Sequence, residues 1–291
     1  MYLYYYFYTM KEKSKVIAIA SPTATGKSKF AVELAKKING EIISADSRLV
    51  YNGFNIAVAK PTKEEKGNIK HYLIDIVEPE YDYTVSDFYK DATNAIKEII
   101  SHKKTPIIVG GTGLYFRILL EGYKLTDVKP DLKLRQELSL LSKEELLLIF
   151  EKLDKKSFQN ITDIDKRKLI RKIEICKSLG KPISEIEQKQ EVPYKVEWIG
   201  INMPRDEIYN RINSRVDRMF EDGIVDETKN LLKKHGRIKN IVDTIGYKEV
   251  IQYLDGEIDL ERAKELLKQH TRNYAKRQLT WFRKNEALGL S

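Results

Sequence analysis

Apolar residues recur with two different periods along this chain, and the places where one period gives way to the other mark its elements. "VIAIA" (16–20) is a short, largely β-branched run that ends at Ser21. Beyond it, Phe30, Val32, Leu34, Ala35 and Ile38 fall at roughly helical spacing within 27–38. "EIISA" (41–45), "HYLIDIV" (71–77), "PIIVGG" (106–111) and "VEWIGINM" (196–203) read as further strands, the third running into a helix at "LYFRILLEG" (114–122). Strands alternating with helices predict an α/β fold built on a parallel sheet, with ligands at the carboxyl ends of its strands.

Between residues 126 and 190 no strand is visible. The segment is rich in Leu, Lys and Glu at helical spacing, as in "PDLKLRQELSLLSKEELLLIFEKL". An all-helical insertion over 126–190 is the simplest account, leaving 14–125 and 191–291 as one sheet domain. From Glu207 onward the pattern is helical again, broken at "DGIVD" and "DTIGYK". The opening "MYLYYYFYTM" is too short to span a bilayer and has neither a basic start nor a small-residue cleavage site. Residues 1–13 are expected to form a disordered extension, with Met10 as the natural beginning.

Composition narrows the class. The 291 residues are 42% hydrophobic and 33% charged, as in a soluble globular chain with room for a sizeable core. The net charge of +9 points to a polyanionic partner, although an AT-rich genome that overuses lysine gives the same total. The one cysteine, Cys176, excludes a disulfide within the chain and a Cys-rich zinc site. The four histidines lack metal-ligand spacing. A reducing, cytoplasmic setting without membrane association is expected.

The candidate chemistry starts at "SPTATGKS" (21–28), between the first strand and the first helix. Such a loop gathers backbone N–H groups around an anion at a helix N-terminus. Gly26 lets the backbone approach, Lys27 brings a cation, and Ser28 offers a hydroxyl suited to Mg2+. Ser21 stands where the G-x-x-x-x-G-K-[ST] pattern has its first glycine. The loop binds phosphates without saying whose. Asp46, after the second strand and expected beside the loop, would serve as a magnesium carboxylate, a general base or a helix cap. Gly110, Gly111 and Gly113 around Thr112 suit close approach of a planar or anionic ligand. "RNYAKRQLTWFR" (272–283) interleaves basic and aromatic residues, and Arg262 to Lys284 holds eight Lys or Arg against one acidic residue. Such a surface fits a nucleic acid.

Eight collinear motifs carry a resemblance. They are "PTATGKS", "ADSRLVY" (45–51), "AKPT" (59–62), "HYLIDIVEP" (71–79), "VGGTGLYFRILLEG" (109–122), "DKRKLIRKIEI" (165–175), "TIGYKE" (244–249) and "AKRQLTWFR" (275–283). Running from about 16 to 284, the chain resembles the bacterial tRNA dimethylallyltransferases, also called tRNA isopentenyltransferases. It departs from their pattern at Ser21, at Ala57 and Val58 where a Gly-Thr pair is common, and at Lys168 where arginine is common.

The resemblance implies a P-loop NTPase-like sheet with a helical insertion that contacts tRNA. It also implies transfer of a dimethylallyl group from its diphosphate to the exocyclic N6 amine of the adenosine 3′ of the anticodon. The tRNAs concerned read codons starting with U, Mg2+ is the cofactor, and the protein is a monomer. Asp46 is then the general base, Thr112 contacts the transferring end of the donor or the target adenosine, and Asp75 is the rival carboxylate, read as structural or as supporting the site from behind. Ser21, Pro22, Thr23, Ala24, Thr25, Gly26, Lys27 and Ser28 hold the diphosphate with Arg211 and Arg215, and Ser28 holds the metal. Contacts to tRNA are implied for Asp46, Ser47, Arg48, Leu49, Thr112, Arg135, Arg167, Lys168, Arg171, Gly246, Tyr247, Lys248, Lys276, Arg277, Gln278, Trp281 and Arg283. Rival readings are a P-loop small-molecule kinase, a free-adenylate isopentenyltransferase, and an RNA-binding module with a vestigial phosphate loop.

Overall fold

Odd and even positions of the first strand face different layers, and that alternation organises the molecule. In the computed structural model, which describes residues 13–126, 128–186, 189–285 and 288, β1 (Ser14–Ala20) buries Val16, Ala18 and Ala20 in one apolar cluster and Ile17 and Ile19 in another. Both faces are covered, so the strand reads as a continuous apolar run. The predicted extension lies, apart from Lys13, outside the described residues.

The chain continues through α1 (Lys27–Ile38), β2 (Gly40–Ala45), α2 (Lys63–Lys66), β3 (His71–Tyr72), α3 (Val85–Ser101), β4 (Thr105–Gly110) and α4 (Gly113–Leu120). A helical segment follows, with α5 (Leu132–Ser139), α6 (Lys143–Leu153), α7 (Lys155–Phe158) and α8 (Lys166–Leu179). The chain then returns to the sheet at β5 (Tyr194–Ile199) and ends in α9 (Arg205–Glu221), α10 (Ile224–His235), α11 (Lys239–Val242), α12 (Tyr247–Leu254) and α13 (Leu260–Phe282). The sheet is five-stranded and parallel, in the order β3-β2-β4-β1-β5. Ile17 and Ile42 both register with Ile107, which puts three isoleucines in a row beneath α1.

β4 runs between β2 and β1, and Asp46 at the end of β2 is still within electrostatic reach of Lys27 in the loop. One expectation changes here. "HYLIDIV" reads as one strand over 71–77, yet only His71 and Tyr72 pair as one. Leu73 (φ 62°) and Asp75 (φ 54°) turn left-handed, and the chain rejoins the sheet only as a bridge between Tyr51 and Val77. The cause is polar. The Asp75 N–H donates to the Leu49 carbonyl at 3.0 Å and the Asp75 carboxylate pairs with Lys60, folding the segment over the loop after β2.

Contacts divide the chain into two compact units: residues up to Glu121 with those from Val192 onward, and Gly122–Glu191. The second unit has its own core, in which Leu169, Ile173 and Cys176 of α8 pack with Leu146 and Phe150 of α6. Glu174, 1% exposed, accepts hydrogen bonds from Arg135 at 2.8 Å and the Asp131 N–H at 2.7 Å, and Arg171 closes on the same carboxylate. Burial pushes the Glu174 carboxyl up, but these donors outweigh it and hold its pKa below the ordinary value. Among the described residues no helix is long and apolar enough to cross a membrane.

Candidate active site at the phosphate loop

The loop between β1 and α1 is held by its own polar side chains. Ser21 is fully buried, and its hydroxyl both donates to the Ile201 carbonyl (2.9 Å) and accepts the Ile201 N–H (3.2 Å). The residue in the glycine's place thus stitches the loop to the chain beyond β5. Thr25 Oγ1 donates to the Pro22 carbonyl at 2.9 Å, and Lys27 Nζ reaches the same oxygen at 3.1 Å. Ala24 (φ 65°) and Gly26 (φ 84°) are left-handed, the conformations that turn successive N–H groups toward one centre.

These bonds sort the expected diphosphate contacts. The side chains of Ser21, Pro22 and Thr25 are buried in shaping the loop rather than offered to a ligand. Ala24, Gly26, Lys27 and Ser28 line a cavity of about 830 Å3. Across it stands α9, whose Ile208, Ile212 and Val216 bury one stripe in the core and leave Arg211, Arg215 and Arg218 lining the cavity. A Cβ on Gly26 would lie 3.9 Å from Arg211 Nη1, and Arg211 is steered by a 2.7 Å bond to Glu207. Arg215 Nη2 donates to Thr23 Oγ1 at 2.7 Å. Arg218 was not singled out in the sequence, although its place one turn after Arg215 was the signal to read.

The electrostatics favour an anion. Lys27 is half-buried, and the desolvation of its ammonium lowers its pKa to about 8; the Asp46 carboxylate pulls the other way and Arg215 pushes further down. Ser28 is exposed to the cavity, and among the described residues no hydrogen bond engages its hydroxyl, so one oxygen donor is free for Mg2+.

Asp46 sits half-buried just past β2, and no helix follows it, which rules out the cap. Its Oδ1 accepts the Arg48 N–H at 2.8 Å, while among the described residues no hydrogen bond reaches Oδ2. Its charge is felt by Lys27, Arg215, Tyr115 and Tyr274. Thr112 precedes α4, its N–H bonded to the Ala45 carbonyl at 3.2 Å and its hydroxyl buried beside the Tyr274 hydroxyl, with no close hydrogen bond among the described residues. Asp75, paired with Lys60, is a structural carboxylate.

The glycines around Thr112 receive protein rather than ligand. A Cβ on Gly111 would fall 2.1 Å from Gln278 Nε2, and one on Gly113 would fall 2.2 Å from the Trp281 ring. The close approach that these glycines permit is therefore that of α13. Gln278 and Trp281, expected at tRNA, pack onto the loop after β4. Tyr247 also departs from expectation: its ring is fully buried, and its hydroxyl donates to Glu227 at 2.7 Å. Gly246 lies against the Ala57 methyl, where a Cβ would come within 2.7 Å. Arg135 and Arg171 are committed to Glu174. By contrast, Arg167, Lys168, Lys248, Lys276, Arg277 and Arg283 are exposed, and Ser47, Arg48 and Leu49 half-exposed beside Asp46.

The IPP transferase family model matches residues 49–285. A tRNA dimethylallyltransferase of Carboxydothermus hydrogenoformans is 45% identical over 278 residues, 93% of this chain and 89% of that one. One of Halalkalibacterium halodurans is 44% identical over 93% of this chain and 88% of its own. Among solved structures, a tRNA isopentenylpyrophosphate transferase of Bacillus halodurans superposes with a TM-score of 0.71 at 41% identity, covering 95% of this chain and 89% of that one. A eukaryotic dimethylallyltransferase acting on tRNA gives 0.81 at 31% identity, covering 92% of this chain and 69% of that one. With this match over most of its length, the chain belongs to the IPP transferase family.

Proposed function

We propose that this protein transfers a dimethylallyl group from dimethylallyl diphosphate to the N6 amine of the adenosine 3′-adjacent to the anticodon, in tRNAs reading U-starting codons. The observation that carries the reading is the facing of the phosphate loop by Arg211, Arg215 and Arg218 with a carboxylate, Asp46, within electrostatic reach. The relatives named for this reaction support it.

In the reaction the bond from C1 of the prenyl group to the diphosphate oxygen breaks as the adenine nitrogen bonds to C1. Charge accumulates on the leaving diphosphate, where the loop amides, Lys27, Arg211 and Arg215 stabilise it. Mg2+, bound through Ser28, would add further neutralising charge to those oxygens. The amine's lone pair is delocalised into the ring, so the nucleophile improves as its proton passes to Asp46 Oδ2, the oxygen that no described residue hydrogen-bonds. Thr112 Oγ1, buried beside the Tyr274 hydroxyl, would give or take one hydrogen bond with the incoming base or prenyl diphosphate.

The tRNA would be held by the exposed bases of α13 and by Arg167 and Lys168 of the helical unit. The protein would act as a cytoplasmic monomer. Incubation with labelled dimethylallyl diphosphate and either tRNA or AMP tests the reading. Label in tRNA at the adenosine beside the anticodon is expected; label in AMP alone would overturn it.

A further inference from the structure

Gln278 lies on α13 amid basic and aromatic residues, yet it is 5% exposed and both ends of its amide are engaged. Oε1 accepts the Thr23 N–H at 2.9 Å, across 255 residues of sequence, and Nε2 donates to the Gly111 carbonyl at 3.0 Å. A flipped amide would set donor against donor and acceptor against acceptor, so the two partners fix its orientation. Gly111 has no side chain where Nε2 sits, and a Cβ there would come within 2.1 Å of it. Thr23 is gripped from the other side as well, since Arg215 donates to its hydroxyl at 2.7 Å.

We infer that Gln278 is a positioning residue for the diphosphate donor, a latch by which the C-terminal helix holds the phosphate loop in its binding shape; the inference rests on the reading of that loop as a diphosphate site. The loop acts through backbone N–H groups that must already point at the anion when it arrives. Its shape is not one that the chain adopts freely, because Ala24 is left-handed (φ 65°), a conformation disfavoured for a residue with a Cβ. Pinning the Thr23 N–H just before that turn holds the strained conformation in the free protein, so less ordering is left to oppose binding. The same bond joins the loop after β1 to the loop after β4, which carries Thr112, so one side chain sets the separation of the two walls. Helix α13 is then part of the donor site as well as a basic surface.

The test compares Gln278→Met, which removes both bonds at similar volume, with Gly111→Ala, whose methyl would displace the amide while leaving Gln278 in place. Each variant and the double variant are titrated with inorganic pyrophosphate by calorimetry, and assayed for donor KM, kcat at saturating donor, and thermal midpoint. Each single variant should bind pyrophosphate about tenfold more weakly, the scale of one or two hydrogen bonds that preorganise a site. Donor KM should rise by a similar factor, with kcat within about threefold of wild type. The double variant should be no weaker than the worse single one, because both break the same link. A lowered midpoint with unchanged pyrophosphate affinity in the folded variants would reduce Gln278 to a packing residue and overturn the latch, as would losses that multiply in the double variant. Absence of pyrophosphate binding in the wild-type protein would overturn the diphosphate reading itself, and the latch with it.

Discussion

Arg215 and Thr23 meet in a 2.7 Å hydrogen bond from a guanidinium Nη2 to a threonine hydroxyl, although 192 residues separate them in sequence. The bond carries α9 onto the phosphate loop and sets the distance across which an anion is gripped. Burial pushes the Arg215 pKa down, Arg218 adds to the effect and Asp46 opposes it, while among the described residues Nε is buried without a hydrogen-bond partner. A buried cation with an idle donor gains most when an anion arrives. Arg215→Met should therefore weaken pyrophosphate binding by about 10- to 100-fold, the range of one charge-assisted hydrogen bond. Affinity for tRNA, measured separately, should stay the same; a matching decrease there would mean that Arg215 holds the fold rather than the donor.

Binding of the donor should depend on pH through Lys27, whose pKa burial lowers to about 8. Below pH 8 the ammonium is present and the diphosphate finds its partner. Above it the free protein holds a neutral amine, and binding an anion requires uptake of a proton. Pyrophosphate affinity should fall by up to about tenfold per pH unit above 8. Calorimetry in buffers of different ionisation enthalpy should show that proton uptake, and Lys27→Met should abolish it. A flat profile from pH 7 to 10 in the wild type would contradict the assignment.

Asp46→Asn keeps an oxygen for the Arg48 N–H but cannot take a proton from the adenine amine. Turnover should drop by about 10²–10⁴-fold, the usual worth of a general base, while pyrophosphate binding persists. Single-turnover measurement with both substrates bound isolates the chemical step. A rate within a few-fold of wild type would leave Asp46 as a turn-forming residue only.

The basic residues of the helical unit should fall into two classes. Arg167 and Lys168 are exposed, Lys168 at 76% and paired only at the surface with Asp165. Changing both to Gln should lower the log–log salt slope of tRNA binding by about 0.7–0.9 for each tRNA phosphate no longer neutralised, with little effect on thermal stability. Arg171 donates to the Val128 carbonyl at 2.8 Å and to buried Glu174, so Arg171→Gln should lower the unfolding midpoint instead. A salt slope that responds to Arg171→Gln but not to the exposed pair would reverse this division.

What the sequence by itself determined is whatever contiguous residues encode. The unbroken apolar run "VIAIA" states that both faces of β1 are covered. The eight residues from Ser21 to Ser28 carry the loop, its cation and the hydroxyl proposed for a metal in one contiguous stretch. The loss of strand period after "LYFRILLEG" marks a unit that the contacts place at Gly122–Glu191. A spacing of four was enough to put Arg211 and Arg215 on one helical face.

Tertiary structure alone decided what each polar or small residue faces. The glycines around Thr112 look the same in sequence whether a ligand or Gln278 and Trp281 fill the space beside them, and only the docking of α13 chooses. Arg171 looks as available to tRNA as Lys168 until α5 brings Arg135 and the Asp131 N–H to the same buried carboxylate. "HYLIDIV" has the pattern of a full strand, but the pairing of Asp75 with Lys60 turns it off the sheet edge after two residues. In each case the deciding partner lies on another element, and a hydrogen bond or an ion pair leaves no periodic trace. Hydrophobic burial is set by the period of a segment, whereas polar satisfaction is set by whichever neighbour the packing supplies.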